Sequence, residues 1–126
     1  MVPTDRRYTK DHEWVRVDGE IATVGITQYA AEQLGDVVFV ELPDVGRALS
    51  QHATFGVVES VKAVSDLYAP IAGEVRATNG ELGKAPELVN QDPYEAGWMI
   101  RVSVADPGEV DRLLDATAYE QLIAEA

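Results

Sequence analysis

Lys62 is one of three lysines in this 126-residue chain, the others being Lys10 and Lys84, and its neighbours set it apart. It falls in the run Glu59-Ser60-Val61-Lys62-Ala63-Val64-Ser65-Asp66. Phe55, Val57, Val58 and Val61 precede it; Val64, Leu67 and Tyr68 follow. Apolar, partly β-branched runs of this kind favour strands, and Pro70 and Gly73 break the pattern beyond them. The stretch predicts two short strands with a tight reversal between them and Lys62 at the reversal. A lone lysine in a turn is ordinarily a solvated charge. An ordinary turn, however, shows Gly, Asn or Asp at its tip, whereas Val61 and Ala63 flank this amine. Carboxylates bracket it at Glu59 and Asp66, so the tip is a surface for another protein to read.

Self-sufficient catalysis finds little support elsewhere. The two histidines, His12 and His52, lie far apart, and no His cluster has metal-ligand spacing. There is no Gly-Xaa-Ser-Xaa-Gly elbow and no phosphate-binding glycine loop. Glu59 and Asp66 could approach each other across the hairpin as a carboxylate pair, but beside an exposed tip, without an evident cleft, acid–base catalysis is not expected. The pattern is that of a carrier, not an enzyme.

Composition narrows the class further. Net charge is −12 and the sequence pI is about 4.4. Nucleic-acid binding needs clustered Lys and Arg, so it is not expected; an acidic surface aids solubility and steers the chain toward basic rims on partners. No apolar run approaches the roughly 20 residues that span a bilayer. Arg6 and Arg7 lead into Tyr8-Thr9-Lys10-Asp11, which is no signal peptide, and the Met1 start without a transit segment favours a bacterial cytoplasm. The chain has no cysteine, which excludes disulfides and zinc–thiolate sites and fits a reducing compartment.

The length predicts a single domain over 1–126, with residues 1–7 mobile for want of any periodicity. Strands are expected from His12 to Val17 and from Glu20 to Ile26, joined at Asp18-Gly19 by a two-residue hairpin whose two central positions take positive φ. Thr27 to Leu34 predicts a short helix capped by Thr27 and stopped by Gly35. A strand over Val37 to Leu42 ends at Pro43, and Asp44 to Thr54 is loop-like. Glu87-Leu88-Val89 fits a single helical turn, and Trp98 to Val104 a strand. Asp106-Pro107-Gly108-Glu109 starts a helix, with Asp106 as cap and Glu109 reaching back; Thr117-Ala118-Tyr119-Glu120 predicts a second capping box. These C-terminal helices, over 106–125, are expected to pack on the strands. An internal echo also appears: Gly35-Asp36-Val37 against Gly73-Glu74-Val75, Val45-Gly46-Arg47-Ala48 against Leu82-Gly83-Lys84-Ala85, and Gly56-Val57-Val58 against Gly97-Trp98-Met99. It predicts a pseudo-twofold β-sandwich in which each half supplies strands to both sheets, the second copy's tip falling near Ala105-Asp106-Pro107 without a lysine. Trp14 and Trp98 are expected as core or sheet-face anchors, and Gly56, Gly73 and Gly97 as sites of bulges or tight turns.

The segment Glu59 to Asp66, with Ala69-Pro70-Ile71-Ala72-Gly73-Glu74-Val75 behind it, resembles the lipoyl-lysine segment of the glycine cleavage H-protein family. The resemblance extends to His12-Glu13-Trp14, Val24-Gly25-Ile26-Thr27, Gly35 to Pro43, Asn90-Gln91-Asp92-Pro93-Tyr94 and Gly97-Trp98-Met99, nearly the whole chain. It implies a mainly β fold, a hybrid sandwich of two antiparallel sheets like those of lipoyl and biotinyl carriers, with short helices. It implies lipoate in amide linkage to Lys62, attached by a lipoylating enzyme for which Glu59, Val61 and Ala63 are candidate recognition residues. Three partners follow from it: a pyridoxal-phosphate glycine decarboxylase (P protein), a tetrahydrofolate-dependent aminomethyltransferase (T protein) and a dihydrolipoamide dehydrogenase (L protein). The arm passes the aminomethyl group from the first to the second and is reoxidised by the third. Glu13 and Asp66 match acidic residues of a cleft that shelters the loaded arm; Glu32-Gln33 stand where some members have a histidine. Biotinyl domains place methionines around their lysine, and lipoyl domains of 2-oxoacid dehydrogenases usually show Asp-Lys-Ala, from which Val61 departs. The alternatives are a related protein that relays lipoate to other apo-proteins and a β-sandwich interaction module with Lys62 unmodified.

Overall fold

The computed structural model describes residues 2–125. Nine strands form two antiparallel sheets. The larger has the order β1-β2-β3-β9-β8-β5, built from β1 (Arg7–Tyr8), β2 (Glu13–Asp18), β3 (Ile21–Ile26), β5 (Ala48–Leu49), β8 (Gly73–Thr78) and β9 (Ile100–Ser103). The smaller has the order β4-β6-β7, from β4 (Val37–Glu41), β6 (Thr54–Ser60) and β7 (Val64–Tyr68). Between them lies an apolar core that includes Val15, Val24, Val75 and Ile100 of the large sheet and Val40, Val58 and Leu67 of the small one. A second cluster of Tyr8, Trp14, Ala116 and Tyr119 forms where the C-terminal helix α5 (Ala116–Ala124) packs. Trp14 is the anchor expected of it, fully buried, its Nε1–H donating to the carbonyls of Ile26 and Pro93 at 3.0 Å.

The β2–β3 hairpin turns one residue later than its dipeptide predicts. Asp18 pairs with Ile21, so the loop is Gly19-Glu20. Gly19 has φ +63° and Glu20 is not in the positive-φ region, the arrangement in which only the first central residue needs glycine. The helix α1 (Gln28–Leu34) has the expected caps: Thr27 Oγ1 accepts Ala30 N–H, and Gly35 closes the helix at φ 78°. At Gly56 the β6–β7 ladder slips register, and a Cβ there would collide with the Glu41 carbonyl oxygen. Glycine permits the bulge.

The internal echo holds in part. β4 pairs with β6 in the small sheet and β8 pairs with β9 in the large one, so the two Gly-led pairs do correspond, one to each sheet. The halves do not each feed both sheets: β8 and β9 both join the large sheet, while the small one draws β4, β6 and β7 from the first half. Val45–Ala48 leads into strand β5, whereas Leu82–Ala85 belongs to a helical turn, α2 (Glu81–Lys84), which precedes α3 (Leu88–Gln91). Ala105-Asp106-Pro107 is no hairpin tip but the entry to α4 (Pro107–Asp111).

Two further expectations are corrected. The N-terminal stretch, for which mobility is expected, makes contacts through Arg6, whose guanidinium lies 4.7 Å over the Trp14 ring, 5.5 Å over that of Tyr94, and bonds the Tyr94 carbonyl at 2.9 Å. Cation–π contacts have no sequence periodicity, so the strand pattern gave no sign of them. Glu109 does not reach back to its own helix; its carboxylate accepts Ala72 N–H at 2.9 Å and so ties α4 to the end of the lysine hairpin's return segment. The cap of α5 is Asp115, accepting Ala118 N–H at 2.8 Å, in place of Thr117.

Removing the Asp115 cap should cost about 1 kcal/mol, while Thr117→Ala should stay within about 0.5 kcal/mol of the parent. Urea denaturation of Asp115→Ala and Thr117→Ala measures both, and the reverse order would restore the sequence-based cap.

Candidate functional site: the lysine hairpin and its cleft

Strands β6 and β7 converge on Val61-Lys62-Ala63, all three exposed. The tip is nonetheless fixed. Ser60 N–H donates to the Ala63 carbonyl at 2.8 Å, and Ser60 Oγ accepts Ala63 N–H at 3.0 Å and Lys62 N–H at 3.3 Å. A serine hydroxyl that gathers the following amides makes a turn without glycine, which accounts for Val61 and Ala63 there. Val61 N–H bonds the Asp36 carbonyl at 3.0 Å, holding the tip to the loop after α1. Lys62 forms no ion pair within 4.0 Å among the described residues. Its alkyl stem runs back over Gly35, where an added Cβ would come within 3.4 Å of Lys62 Cε.

Next to this tip, α1 and the β6–β7 hairpin enclose a cleft of about 310 Å³. His12 and Glu13 line it from the start of β2, Tyr29, Ala30, Gln33 and Leu34 from α1, and Val58, Ser65, Asp66 and Leu67 from the hairpin. Glu13 and Asp66, 53 positions apart, are thus brought into one cavity. Gln33 also lines it, whereas Glu32 does not. Glu59 lies outside. It pairs with Val64, and Asp66 pairs with Val57, so both side chains leave the same face of the hairpin two residues apart, as diagonal neighbours and not a directly opposed pair; Asp66 borders the cleft from β7, the edge strand of the small sheet. The register puts Glu59 beside Phe39 and Val64 on the outer face of the small sheet. Apolar side chains are exposed around this face: Val38, Phe39, Val61 and Val64 are each about half exposed or more.

Glu13 is the most unusual group in the cleft. It is 2% exposed, yet no cation lies within ion-pair distance of it among the described residues. Thr9 Oγ1 donates to Oε1 at 2.6 Å, and Tyr68 N–H donates to Oε2 at 3.2 Å. A carboxylate offers about four acceptor sites, so capacity for a further donor remains. Burial pushes its pKa up to about 7, against the lowering pull of the bonds from Thr9 and Tyr68. A cation arriving beside it would draw it back to the ionised form.

Sequence reasoning did not single out His12, Tyr29 or Ser65 for the cleft, nor the Tyr119 hydroxyl behind it. The one signal for His12 was its place beside Glu13. Its backbone, at φ 70°, is the left-handed conformation that few non-glycine residues adopt. The second histidine, His52, also has positive φ but lines a different concavity, with Lys10 and Arg112.

A glycine cleavage H-protein family model matches residues 6–126. The chain belongs to this family. It is 57% identical over 124 residues to the glycine cleavage system H protein of Symbiobacterium thermophilum, covering 98% of this chain and 97% of that one. It is 59% identical over 118 residues to that of Magnetococcus marinus, covering 94% and 84%. Among solved structures it is similar to a glycine cleavage system H protein from Mycobacterium marinum, with a TM-score of 0.90, 41% identity and coverage of 98% and 99%. The expected fold is therefore borne out as a sandwich of two antiparallel sheets with short helices. The role is that of a lipoyl-carrying shuttle in the glycine cleavage system, a carrier and not a catalyst.

The raised Glu13 pKa makes a signed prediction. Between the ordinary carboxylate pKa of 4.5 and about 7 the folded chain holds a proton at Glu13 that the unfolded chain has lost. Stability from this group is therefore greatest below about pH 4.5 and falls as pH rises through 7, by on the order of 3 kcal/mol in total. His12, whose pKa burial lowers, acts with the opposite sign in the same window. The difference between parent and Glu13→Gln stability curves isolates Glu13: it should slope downward from pH 5 to 7.5, and a flat difference would show that Glu13 ionises normally.

Proposed function

We propose that Lys62 carries the lipoyl group in amide linkage and that the adjacent cleft is where the loaded arm rests. The observation that carries this reading is the joint placement of three features. A solvent-exposed lysine stands at a hydrogen-bonded tip, its stem already turned toward α1, and a cavity bounded by that helix is lined by two acidic residues. The residues fit the group. A tip with no ion pair leaves the amine open to acylation, and Ala30, Leu34, Val58 and Leu67 give the cleft apolar wall for an aliphatic arm.

When bound, lipoate supplies a cyclic disulfide that accepts electrons and a one-carbon unit at the end of a flexible tether. The chain's own residues do the rest. Ser60 and Asp36 keep the base of the tether fixed, which raises the local concentration of its end at a docked partner. Glu13 and Asp66 provide carboxylates for an ammonium group, and the buried Glu13 forms the stronger pair because water screens it least. The cleft walls exclude water from a labile adduct. The half-buried Glu59 and the exposed Val61 and Ala63 around the lysine are where a lipoylating enzyme would read the tip.

The partners are the P, T and L proteins. Membership of the family supports the assignment, as does the outer face beside the tip, where Phe39 and Val64 stand next to Glu59. Exposed apolar surface beside charged groups is a feature of docking sites. The location is the bacterial cytoplasm, a reading that the bacterial relatives support.

Intact mass with peptide mapping on protein from its native cell should show one lipoyl group, on Lys62. Lys62→Arg should fold normally and lose all carrier activity in glycine–bicarbonate exchange; lipoylation retained in that variant would sink the assignment. Exchange activity also separates glycine cleavage from a lipoate relay, which would leave it absent. Asp66→Ala should release the aminomethyl group faster than the parent, by about fivefold for one charge-assisted bond near the surface, with little loss of thermal stability. An unchanged release rate argues against its place in the cleft.

A further inference from the structure

His12 lines the cleft with a ring that is engaged on one side. Nδ1 lies 2.8 Å from the Tyr119 hydroxyl. That hydroxyl lies 2.7 Å from Thr27 Oγ1, and Thr27 Oγ1 accepts Ala30 N–H at 3.2 Å as the cap of α1. Thr27 and Tyr119 are both wholly buried.

The proton inventory fixes the direction of this chain. Thr27 has one hydroxyl proton, and the only acceptor within reach of it among the described residues is the Tyr119 oxygen. Thr27 therefore donates to Tyr119. Tyr119 has one proton left to place, and its remaining partner is His12 Nδ1. Tyr119 donates to Nδ1, so Nδ1 is the bare nitrogen and the neutral ring carries its proton on Nε2. The opposite direction would put a proton on Nδ1 and strand the Thr27 hydroxyl proton in a site closed to water, the costly case of an unmade buried hydrogen bond.

Packing holds the ring in this pose. Tyr119 stacks on Tyr8 at 4.7 Å and 12°, and His12 meets Tyr119 edge-on and Tyr29 at 4.8 Å. The titratable groups around His12 are Asp11 and Glu13 on its own segment, Tyr29 from α1, Asp66 across the cleft and Tyr119 from α5.

We propose that Tyr119 is a positioning residue through which α5 fixes His12 as the neutral Nε2–H tautomer, giving the cleft wall a hydrogen-bond donor for an acceptor atom of the lipoyl arm. The arm offers two kinds of acceptor, the amide carbonyl oxygen and a sulfur. Neutrality matters as much as direction. An imidazolium here would compete with an ammonium group for Glu13, whereas a neutral N–H leaves that carboxylate free. The inference rests on reading Lys62 as the arm's attachment point and the cleft as its seat; the tautomer does not depend on either.

Long-range ¹H–¹⁵N correlation spectra of the unmodified protein at neutral pH read the tautomer directly. The expected result is an unprotonated Nδ1 and a protonated Nε2 on His12; a protonated Nδ1 would overturn the proposal. In Tyr119→Phe the tautomer ratio should fall by about fivefold, the weight of one hydrogen bond. An unchanged ratio in a folded variant removes Tyr119 from the role, and if the variant does not fold the parent spectrum still decides the tautomer. Comparing lipoylated with octanoylated Lys62 then tests the contact, because the octanoyl chain has the amide carbonyl and no sulfur. A shift of the His12 Nε2–H resonance in both forms assigns the carbonyl, and a shift in the lipoylated form alone assigns a sulfur. No shift in either overturns the contact. Failure of Lys62 to accept either group would defeat the functional reading and leave the tautomer result standing.

Discussion

The buried carboxylate of Glu13 is the constraint around which the cleft is built. Glu13 starts β2 of the large sheet, and its two oxygens take donors from two directions, Thr9 before that strand and the Tyr68 amide at the end of β7 in the small sheet. One side chain therefore spans from one sheet to the other at the foot of the lysine hairpin. Burying a carboxylate without a cation is costly, and the cost appears as its elevated pKa. The fold tolerates the group because its bonds tie the base of the hairpin and its remaining acceptor capacity opens on the cleft. An uncharged residue of the same size would serve the packing but could not answer an arriving cation.

The hairpin combines a fixed base with a free end. Its base is held by strand pairing along β6 and β7, by Ser60 gathering the tip amides, and by the Asp36 carbonyl. Among the described residues, no ion pair or side-chain hydrogen bond holds the Lys62 amine. Gly35 serves both sides of this arrangement: it closes α1 at a positive φ, and the lysine stem lies over it across the helix end. The same backbone feature that ends the cleft helix thus sets the direction in which the stem departs.

The C-terminal helix contributes from a distance. Asp115 caps it, Tyr119 projects from it into the second apolar cluster, and Tyr8 stacks on that ring. Through the Tyr119 hydroxyl it reaches the cap of α1 and the His12 ring, both of which border the cleft. Helix α4 acts similarly at another point, with Glu109 holding the Ala72 amide. What composition shows as a set of solvated acidic residues includes one carboxylate, at Glu109, that joins separate parts of the chain.

Sequence alone determined whatever depends on near neighbours or on an uninterrupted match of residues. The apolar, partly β-branched runs on either side of Lys62 specified the hairpin, Thr27 and Gly35 bounded α1, and the long run around Lys62 pointed to a family, because each signal is carried by adjacent positions. Turn and cap chemistry proved legible to within a residue or two: Gly19-Glu20 in place of Asp18-Gly19, and Asp115 in place of Thr117, because neighbouring residues compete for the same role and packing chooses between them. Tertiary structure decided the rest. It alone gave Glu13 its burial without a counter-ion, set Glu59 outside the cleft and Asp66 within it, anchored Arg6 on two aromatic rings, and joined Tyr119 to His12 across 107 positions. Those facts rest on contacts between distant segments, and no local pattern encodes a distance across a core.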